Sequence, residues 1–162
     1  MMTIASVVRD WNVGHYFLHP WFWSSFLGWI VAQTIKLVRA AIRTGTVDFE
    51  YLLSTGGMPS AHSAMVTALA VSIGLTEGFG TPIAMLGLGF ASVTMFDAAT
   101  VRRAAGNQAR VLNRIVHELV KTRHLPKAVH LRELLGHTRT EVLWGMLTGM
   151  TTAAAVCFLW PS

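Results

Sequence analysis

Charged residues are scarce in this chain, and acidic residues are scarcer than basic ones. Lysine, arginine, aspartate and glutamate make up 13% of the 162 residues, whereas a soluble domain has about 25%. Hydrophobic residues make up 52%, and the mean hydropathy is +0.47. This composition points to an integral membrane protein. The length suits one domain, so we expect residues 1–162 to form a single membrane-embedded unit.

Cysteine is nearly absent as well. The one cysteine, Cys157, lies in an apolar run and has no partner for an internal disulfide. It gives no information on the redox compartment. A basic segment, an apolar core and a small-residue cleavage site would mark a secretory signal peptide. The N-terminal sequence lacks that order, so we expect no signal peptide.

Four apolar segments predict a bundle of about four membrane-spanning helices. A spanning helix needs about 20 apolar residues, and the two middle segments are short on that measure. Only a turn-like stretch at 77–82 separates those two, which predicts a membrane hairpin; a buried hairpin of a soluble protein is the alternative. The segments cover 21–35, which continues as a helix through Lys36, Arg39 and Arg43, then 60–74, 82–96 and 142–160.

Residues 98–140 differ from these segments because they carry nine arginines and lysines. Apolar side chains recur there at helical spacing, which predicts an amphipathic helix over roughly 103–123 that ends before Pro126. This helix would lie on the membrane surface or over a site. A solvated basic helix is an equally good interpretation. The recurring apolar residues are Val111, Leu112, Ile115, Val116, Leu119 and Val120.

The positive charges fall on one side of this predicted topology. If all four segments span, residues 36–58 and 98–140 lie on the same face and hold twelve of the thirteen lysines and arginines. Cations concentrate on the cytoplasmic face, so this face is predicted to be cytoplasmic, in the cell membrane. Phosphate binding would also collect cations there, and the side that carries the site therefore stays open.

The first group of candidate residues lies at the end of the first segment. Lys36, Arg39 and Arg43 are spaced so that they share one side of a helix. Cations at the end of an apolar run mark a functional site when they point inward. The alternative is that they extend to lipid phosphates.

The second group lies where a glycine-rich loop runs into the second segment, at 56–63. Ser60 can cap a helix there, which leaves free backbone N–H groups at its start. Such a helix start binds anions. His62 in the first turn would place a titratable group beside a bound phosphate. A simple capped helix with a hydrogen-bonded histidine is the alternative.

The third group is His137 with Glu141, four residues apart and therefore on one helix face. A carboxylate there can accept the proton of one imidazole nitrogen and fix the tautomer of the other. This arrangement orients a base or a nucleophile, although such a pair is also common as a structural contact. Two ligands are too few for a metal site, and we expect neither a metal nor a cofactor.

In this order the three groups resemble the motifs of the type 2 phosphatidic acid phosphatase (PAP2) superfamily, which includes bacterial acid phosphatases and vanadium haloperoxidases. The motifs are Lys-x6-Arg-Pro, Pro-Ser-Gly-His and Ser-Arg-x5-His-x3-Asp. The matching residues are Lys36 and Arg43; Pro59, Ser60 and His62; and Arg132, His137 and Glu141. The differences resemble those of a divergent branch of small membrane proteins, and the resemblance covers about residues 20–160. The differences from the motifs are Thr44 for proline, Ala61 for glycine, Leu131 for serine, Glu141 for aspartate and one residue fewer between Arg132 and His137.

The resemblance implies a metal-independent membrane phosphatase that acts on a lipid phosphate or an isoprenyl phosphate or diphosphate. His137 would be the nucleophile that forms a phosphohistidine, Glu141 would orient it, and His62 would be the general acid and then the base. The phosphoryl oxygens would be held by Lys36, Arg43, Ser60 and Arg132, with Arg102 or Arg103 as the replacement if the shorter spacing turns Arg132 away.

Two further residues are expected to support this site. Asp97 ends an apolar run, where an unpaired carboxylate is costly, and it is predicted to pair with Arg102 or Arg103. Gly57 belongs to the loop before the second helix. Small residues at 61–74 and 145–155, including Gly145 and Gly149, predict close helix packing.

Alternative functions remain open at this level. A non-catalytic member could bind phosphate headgroups with the same cations. A vanadate-binding oxidant enzyme is less consistent with a site next to lipid, which offers no evident route for halide chemistry. A small transporter of phosphorylated lipid or anions is less consistent with the charge-poor second, third and fourth segments. The expected partners are the membrane and a lipid phosphate, with no nucleic acid, and a homodimer could complete a pocket open to lipid.

Overall fold

The computed structural model describes Gly14 and residues 17–46, 57–123, 131 and 136–161, and in this part of the chain all regular secondary structure is α-helical. This confirms the all-α class. Each predicted apolar segment forms a helix, and the predicted amphipathic helix follows the third of them. The helices are α1 Pro20–Thr44, α2 Ala61–Glu77, α3 Pro82–Ala99, α4 Val101–Arg123 and α5 Arg139–Leu159.

Proline, glycine and serine set the helix boundaries. Pro20 and Pro82 stand in the first turns of α1 and α3, where a missing N–H is no loss. Gly45, with φ +72°, ends α1, and its N–H donates to the carbonyl of Ala41. Ser60 caps α2. The ends of the helices therefore follow from local residue chemistry.

Three stretches are long and apolar enough to cross a membrane: Pro20–Thr44, Pro82–Lys121 and Arg139–Leu159. The helix α2 has only 17 residues, and it contacts α1, α3 and α5. Ten of those residues are buried, so the surroundings of α2 are mostly protein. Of the four predicted spans, the second is thus the short central helix of the bundle.

The stretch Pro82–Lys121 is too long to lie wholly within the bilayer core. Its 40 residues would extend about 60 Å as one straight helix, twice the core thickness of about 30 Å. Thr100, with φ −120° and ψ −72°, interrupts it between α3 and α4. Among the described helices, α4 contacts α3 alone. The chain therefore leaves the bundle at Thr100.

Small residues at every fourth position bring three helices together. A Cβ atom added to Gly149 would collide with the carbonyl oxygen of Ala64, and one added to Gly145 with that of Ser60. At Gly28 it would lie 3.0 Å from the Cβ of Ala68. The predicted close packing is confirmed, and it runs along three facing rows. These rows are Ser24, Gly28 and Ala32 on α1; Ser60, Ala64, Ala68 and Ser72 at α2; and Gly145, Gly149 and Ala153 on α5.

The same rows lead to the candidate site. Four residues beyond Ala32 on α1 is Lys36, and four residues before Gly145 on α5 is Glu141. The N–H of Ser60 donates to the carbonyl of Glu141 at 3.0 Å, so the starts of α2 and α5 meet. Packing of small residues therefore carries these side chains to one end of the bundle.

We predict that Gly149→Ala destabilises the protein by about 1–3 kcal/mol, because the added methyl group must displace the backbone of α2. Gly89→Ala is the matched control, since a Cβ at Gly89 meets nothing within 4 Å. Thermal unfolding in detergent measures both variants. Equal midpoints for the two would contradict the close contact between α2 and α5.

Candidate functional site

Ser60 and Ser63 form the N-terminal cap of α2. The Ser60 hydroxyl oxygen accepts hydrogen bonds from the Ser63 N–H at 3.3 Å and from the Ser63 hydroxyl at 2.9 Å. Ser60 is fully buried. Its side chain is thus used in capping the helix, while the helix start itself remains an N-terminal dipole end of the kind that attracts anions.

His137 and Glu141 form the most constrained pair of the site. His137 is 4% exposed, and its Nδ1 lies 3.2 Å from Oε2 of Glu141. The same oxygen accepts from the N–H of Thr138 at 3.0 Å, and the N–H of Glu141 donates to the Thr138 hydroxyl at 3.2 Å. This capping box at the start of α5 holds the carboxylate in place. The hydrogen-bond pattern assigns the ring proton to Nδ1 and leaves Nε2 as the basic nitrogen.

The backbone of His137 is fixed to the junction of α3 and α4. Its N–H donates to the carbonyl of Ala98 at 2.9 Å. The preceding Gly136 has φ +82°, and a Cβ there would collide with the backbone of Arg103. Only glycine fits this position without strain. The ring of His137 is therefore held by Glu141 on α5, and its main chain is held by Ala98 on α3.

Burial lowers the pKa of His137 below its ordinary value, and the hydrogen bond and charge of Glu141 oppose that shift. The positive charge of Lys36 lowers the pKa further, whereas the backbone of Gly57 raises it. The net direction is downward. Burial thus favours the neutral ring, which has its lone pair on Nε2 when the proton is on Nδ1.

Lys36 is buried to 5% exposure on α1, although it carries a charge in ordinary solution. A Cβ at Gly57, where φ is +92°, would lie 3.5 Å from Cγ and Cδ of Lys36. The loop before α2 thus covers the aliphatic part of this side chain. Its ammonium group interacts electrostatically with Glu141 and with His137, which places the cation of the first motif in the site.

His62 lies on the open side of the same cluster. It is exposed, in the first turn of α2, and it interacts electrostatically with Arg102, His137 and Lys36. Nε of Arg102 lies 2.6 Å from Oδ2 of Asp97, which is one of the two pairings that the sequence predicts. The ion pair directs one arginine of α4 towards the site.

Of the predicted phosphate-binding arginines, Arg43 and Arg103 have exposed side chains, and Arg132 is not among the described residues. Arg43 is exposed and lies about 10 Å farther along α1 than Lys36, on nearly the same face. The side chain of Arg103 is also exposed, and what it contributes is the backbone that touches Gly136. Arg132 lies outside the described residues. Among the described arginines, Arg102 is the one whose charge acts on His62.

Two residues that hold the site were not singled out from the sequence. Thr138 stands three positions before Glu141, which is the spacing of a capping box and could have identified it. Ala98 acts through its carbonyl oxygen. Because any residue could supply that oxygen, no pattern in the sequence marks it.

The sequence model of the divergent PAP2 family matches residues 17–152, a range that contains every residue of this site. The chain belongs to the divergent PAP2 family. A relative from Bacillus subtilis (strain 168), described as uncharacterized membrane protein YuiD, is 39% identical over 145 residues, which covers 83% of this chain and 92% of the relative. No solved structure matches the chain. This divergent PAP2 protein is thus an integral membrane protein related to phosphatases.

We predict that the ring of His137 titrates below its ordinary pKa of about 6.5, because burial disfavours the charged form. Glu141→Gln should lower this pKa further, since it removes the carboxylate charge that favours protonation. The unfolded chain binds the proton more readily, so stability falls as pH decreases from about 6.5 through the folded pKa. NMR titration of the ring in detergent measures both effects, with His137→Ala to assign the signal. A His137 pKa above 6.5 would contradict the buried placement.

Proposed function

We propose that this divergent PAP2 protein is a metal-independent phosphatase that hydrolyses a lipid phosphate, or an isoprenyl phosphate or diphosphate, through a phosphohistidine at His137. The observation that carries the proposal is the meeting of Lys36, His62 and the His137–Glu141 pair at one end of the bundle. Lys36 lies on α1, His62 on α2 and Glu141 on α5, and His137 immediately precedes the N-cap of α5. Only His137 and Glu141 are close in sequence.

The first step would use the neutral imidazole of His137 as the nucleophile. Nδ1 faces Glu141 at 3.2 Å, so Nε2 is the nitrogen whose lone pair attacks phosphorus. The bond from phosphorus to the leaving oxygen breaks as the new bond forms, and the imidazole becomes positively charged. The nearby carboxylate of Glu141 stabilises that charge, as the orienting partner of a nucleophile does.

Proton transfer would fall to His62. It is exposed beside His137, and it would donate a proton to the leaving oxygen in the first step. In the second step water attacks phosphorus, His62 accepts the proton, and the bond to Nε2 breaks to release inorganic phosphate and neutral His137. A positioned acid–base group of this kind contributes typically 10²–10⁴-fold to the rate.

Stabilisation of the phosphoryl oxygens would come from fixed positive charge. Lys36 is buried in the site, and Arg102 is held by Asp97 at its edge. The dipole at the start of α2 points its positive end to the same place. Phosphoryl transfer depends mostly on positioning and on such electrostatic stabilisation. Arg43, Arg103, Ser60 and Arg132 stay as further phosphate-binding predictions from the family resemblance.

Phosphate release by the purified protein tests the proposal. The substrates are phosphatidic acid, phosphatidylglycerol phosphate, and isoprenyl phosphates and diphosphates, in detergent with EDTA. We expect release by the wild type, none above background for His137→Ala, and a 10²–10⁴-fold loss for His62→Ala. EDTA should have no effect, because Lys36 and Arg102 supply the positive charge.

Matched controls are available within the chain. His117 is exposed on α4, about four turns from Arg102, so His117→Ala should retain the wild-type rate. Glu77 ends α2 at the opposite end of the bundle from the site, and Glu77→Gln should be silent where Glu141→Gln is not. Binding of these lipids without turnover, by folded protein, would reject the phosphatase and favour a headgroup-binding membrane protein.

A further inference from the structure

The helix α4 has three distinct sides. At about 100° per residue, its side chains sort into an apolar exposed side, a cationic side and a buried side. The apolar exposed side consists of Val101, Val111, Leu112, Ile115 and Leu119. The cationic side consists of Arg103, Arg110, Arg114 and Lys121, which fall within roughly 40° of one another.

The buried side of α4 faces the rest of the chain. Gly106 and Ala109 are buried there, and Val116 and Val120 are half-buried. On this side Asn113 exchanges two hydrogen bonds with the backbone of Leu131, at 2.8 and 3.0 Å. One side of α4 is therefore covered by protein, and the other two sides, one apolar and one cationic, are exposed.

The apolar side needs an apolar environment. Its five side chains are between 44% and 61% exposed, and a continuous apolar patch of that kind marks a surface that binds another apolar one. The preceding helix α3 also has exposed apolar side chains on its outer face, where Val93 and Phe96 are 70% and 68% exposed. That face belongs to a stretch that is long and apolar enough to cross a membrane, so we expect it to contact lipid chains. Exposed apolar side chains are therefore present on both sides of Thr100.

The cationic side fits the headgroup layer. The sequence of α4 holds six arginines and lysines against one glutamate. A helix that lies in the bilayer surface buries its apolar side about 5–10 Å into the boundary between headgroups and acyl chains. With a helix diameter of about 10 Å, the opposite side then lies among the lipid phosphates, which the cations match in charge.

We infer that α4 lies in the plane of the bilayer surface, with Leu112, Ile115 and Leu119 in the acyl region and Arg110, Arg114 and Lys121 among anionic headgroups. The partner surface is thus a lipid bilayer. This inference does not depend on any catalytic activity. A solvated helix, which the sequence leaves equally open, would have to expose the whole apolar side to water.

The location of α4 has a consequence for the candidate site. His137 is bonded to Ala98 at the end of α3, and Gly136 touches the backbone of Arg103 at the start of α4. If α4 lies in the bilayer surface, His137 is held at the depth of the lipid phosphates. Together with the proposed function, this favours a substrate that stays in the membrane and presents its phosphate from there.

Accessibility of nitroxide labels tests the location of α4 directly. Each variant carries one cysteine, at Leu112, Ile115, Leu119, Arg110 or Arg114, in a full-length Cys157→Ala protein. The labelled proteins are reconstituted in bilayers of phosphatidylcholine and phosphatidylglycerol. Val93→Cys on the outer face of α3 gives the lipid reference. Oxygen concentrates in the acyl region, whereas a nickel chelate stays in water, and relaxation by each reports where a label lies.

We expect the labels at 112, 115 and 119 to favour oxygen over the nickel chelate severalfold, as at Val93. Labels at 110 and 114 should show the reverse preference. Access of the nickel chelate to Ile115→Cys at the level of Arg114→Cys would overturn the inference, since α4 would then project into water. Protection of Ile115→Cys from both reagents would also overturn it, because that side would then be covered by protein. Spin–spin broadening in that case would identify a second copy of the chain.

Neither outcome depends on turnover. An inactive protein with α4 in the bilayer surface would reject the proposed phosphatase and leave this inference standing. An active protein with α4 in water would overturn this inference and leave the proposed phosphatase standing.

Discussion

The contact between the backbones of α2 and α5 is the constraint on which the rest of the molecule depends. At Gly145 and Gly149 the two helices approach so closely that there is no room for a side chain. Lipid surrounds a membrane bundle, so apolar burial gives little preference for one helix contact over another, and close packing of small residues takes its place. The position of each helix along its neighbour is then fixed by where glycine and alanine stand.

This packing also explains how charged groups come to lie at the end of an apolar bundle. Lys36 and Glu141 continue the rows of small residues by one helical step, so they point to the same interior face as those rows. Each has partners there: Glu141 lies beside His137 and Thr138, and Lys36 interacts with Glu141. The cation of Lys36 and the carboxylate of Glu141 thus partly offset each other's charge at the bundle end, beside the imidazole of His137. The start of α2 and Arg102 add positive charge near this cluster, which supports the proposed binding of a phosphate.

Much of this could be predicted from the sequence, for identifiable reasons. Helix spans follow from runs of apolar residues between proline and glycine, and Gly145 and Gly149 carry the spacing that close packing requires. His137 and Glu141 are four residues apart, so their contact is local and readable. The Asp97–Arg102 pair followed from the cost of an unpaired carboxylate.

Other features depend on contacts between distant parts of the chain and could not be predicted. The bond from His137 to Ala98 uses a main-chain carbonyl, which every residue has. Gly136 is glycine because the backbone of Arg103 passes beside it, and nothing near Gly136 in the sequence indicates that neighbour. Arg43 is exposed and Lys36 is buried because the bundle ends about two helical turns before Arg43. The spacing of the two cations places them on one face of α1 but does not show where the bundle ends.

The central claim is that His137 becomes covalently phosphorylated while His62 moves the protons, and trapping of the intermediate tests it most directly. With p-nitrophenyl phosphate the leaving group needs no proton, so His62→Ala should still transfer the phosphoryl group but should activate water poorly. The intermediate should then accumulate. Quenching at alkaline pH, digestion and mass spectrometry are predicted to find one phosphoryl group on His137. A phosphoryl group on another residue, or turnover with none on His137, would contradict the account.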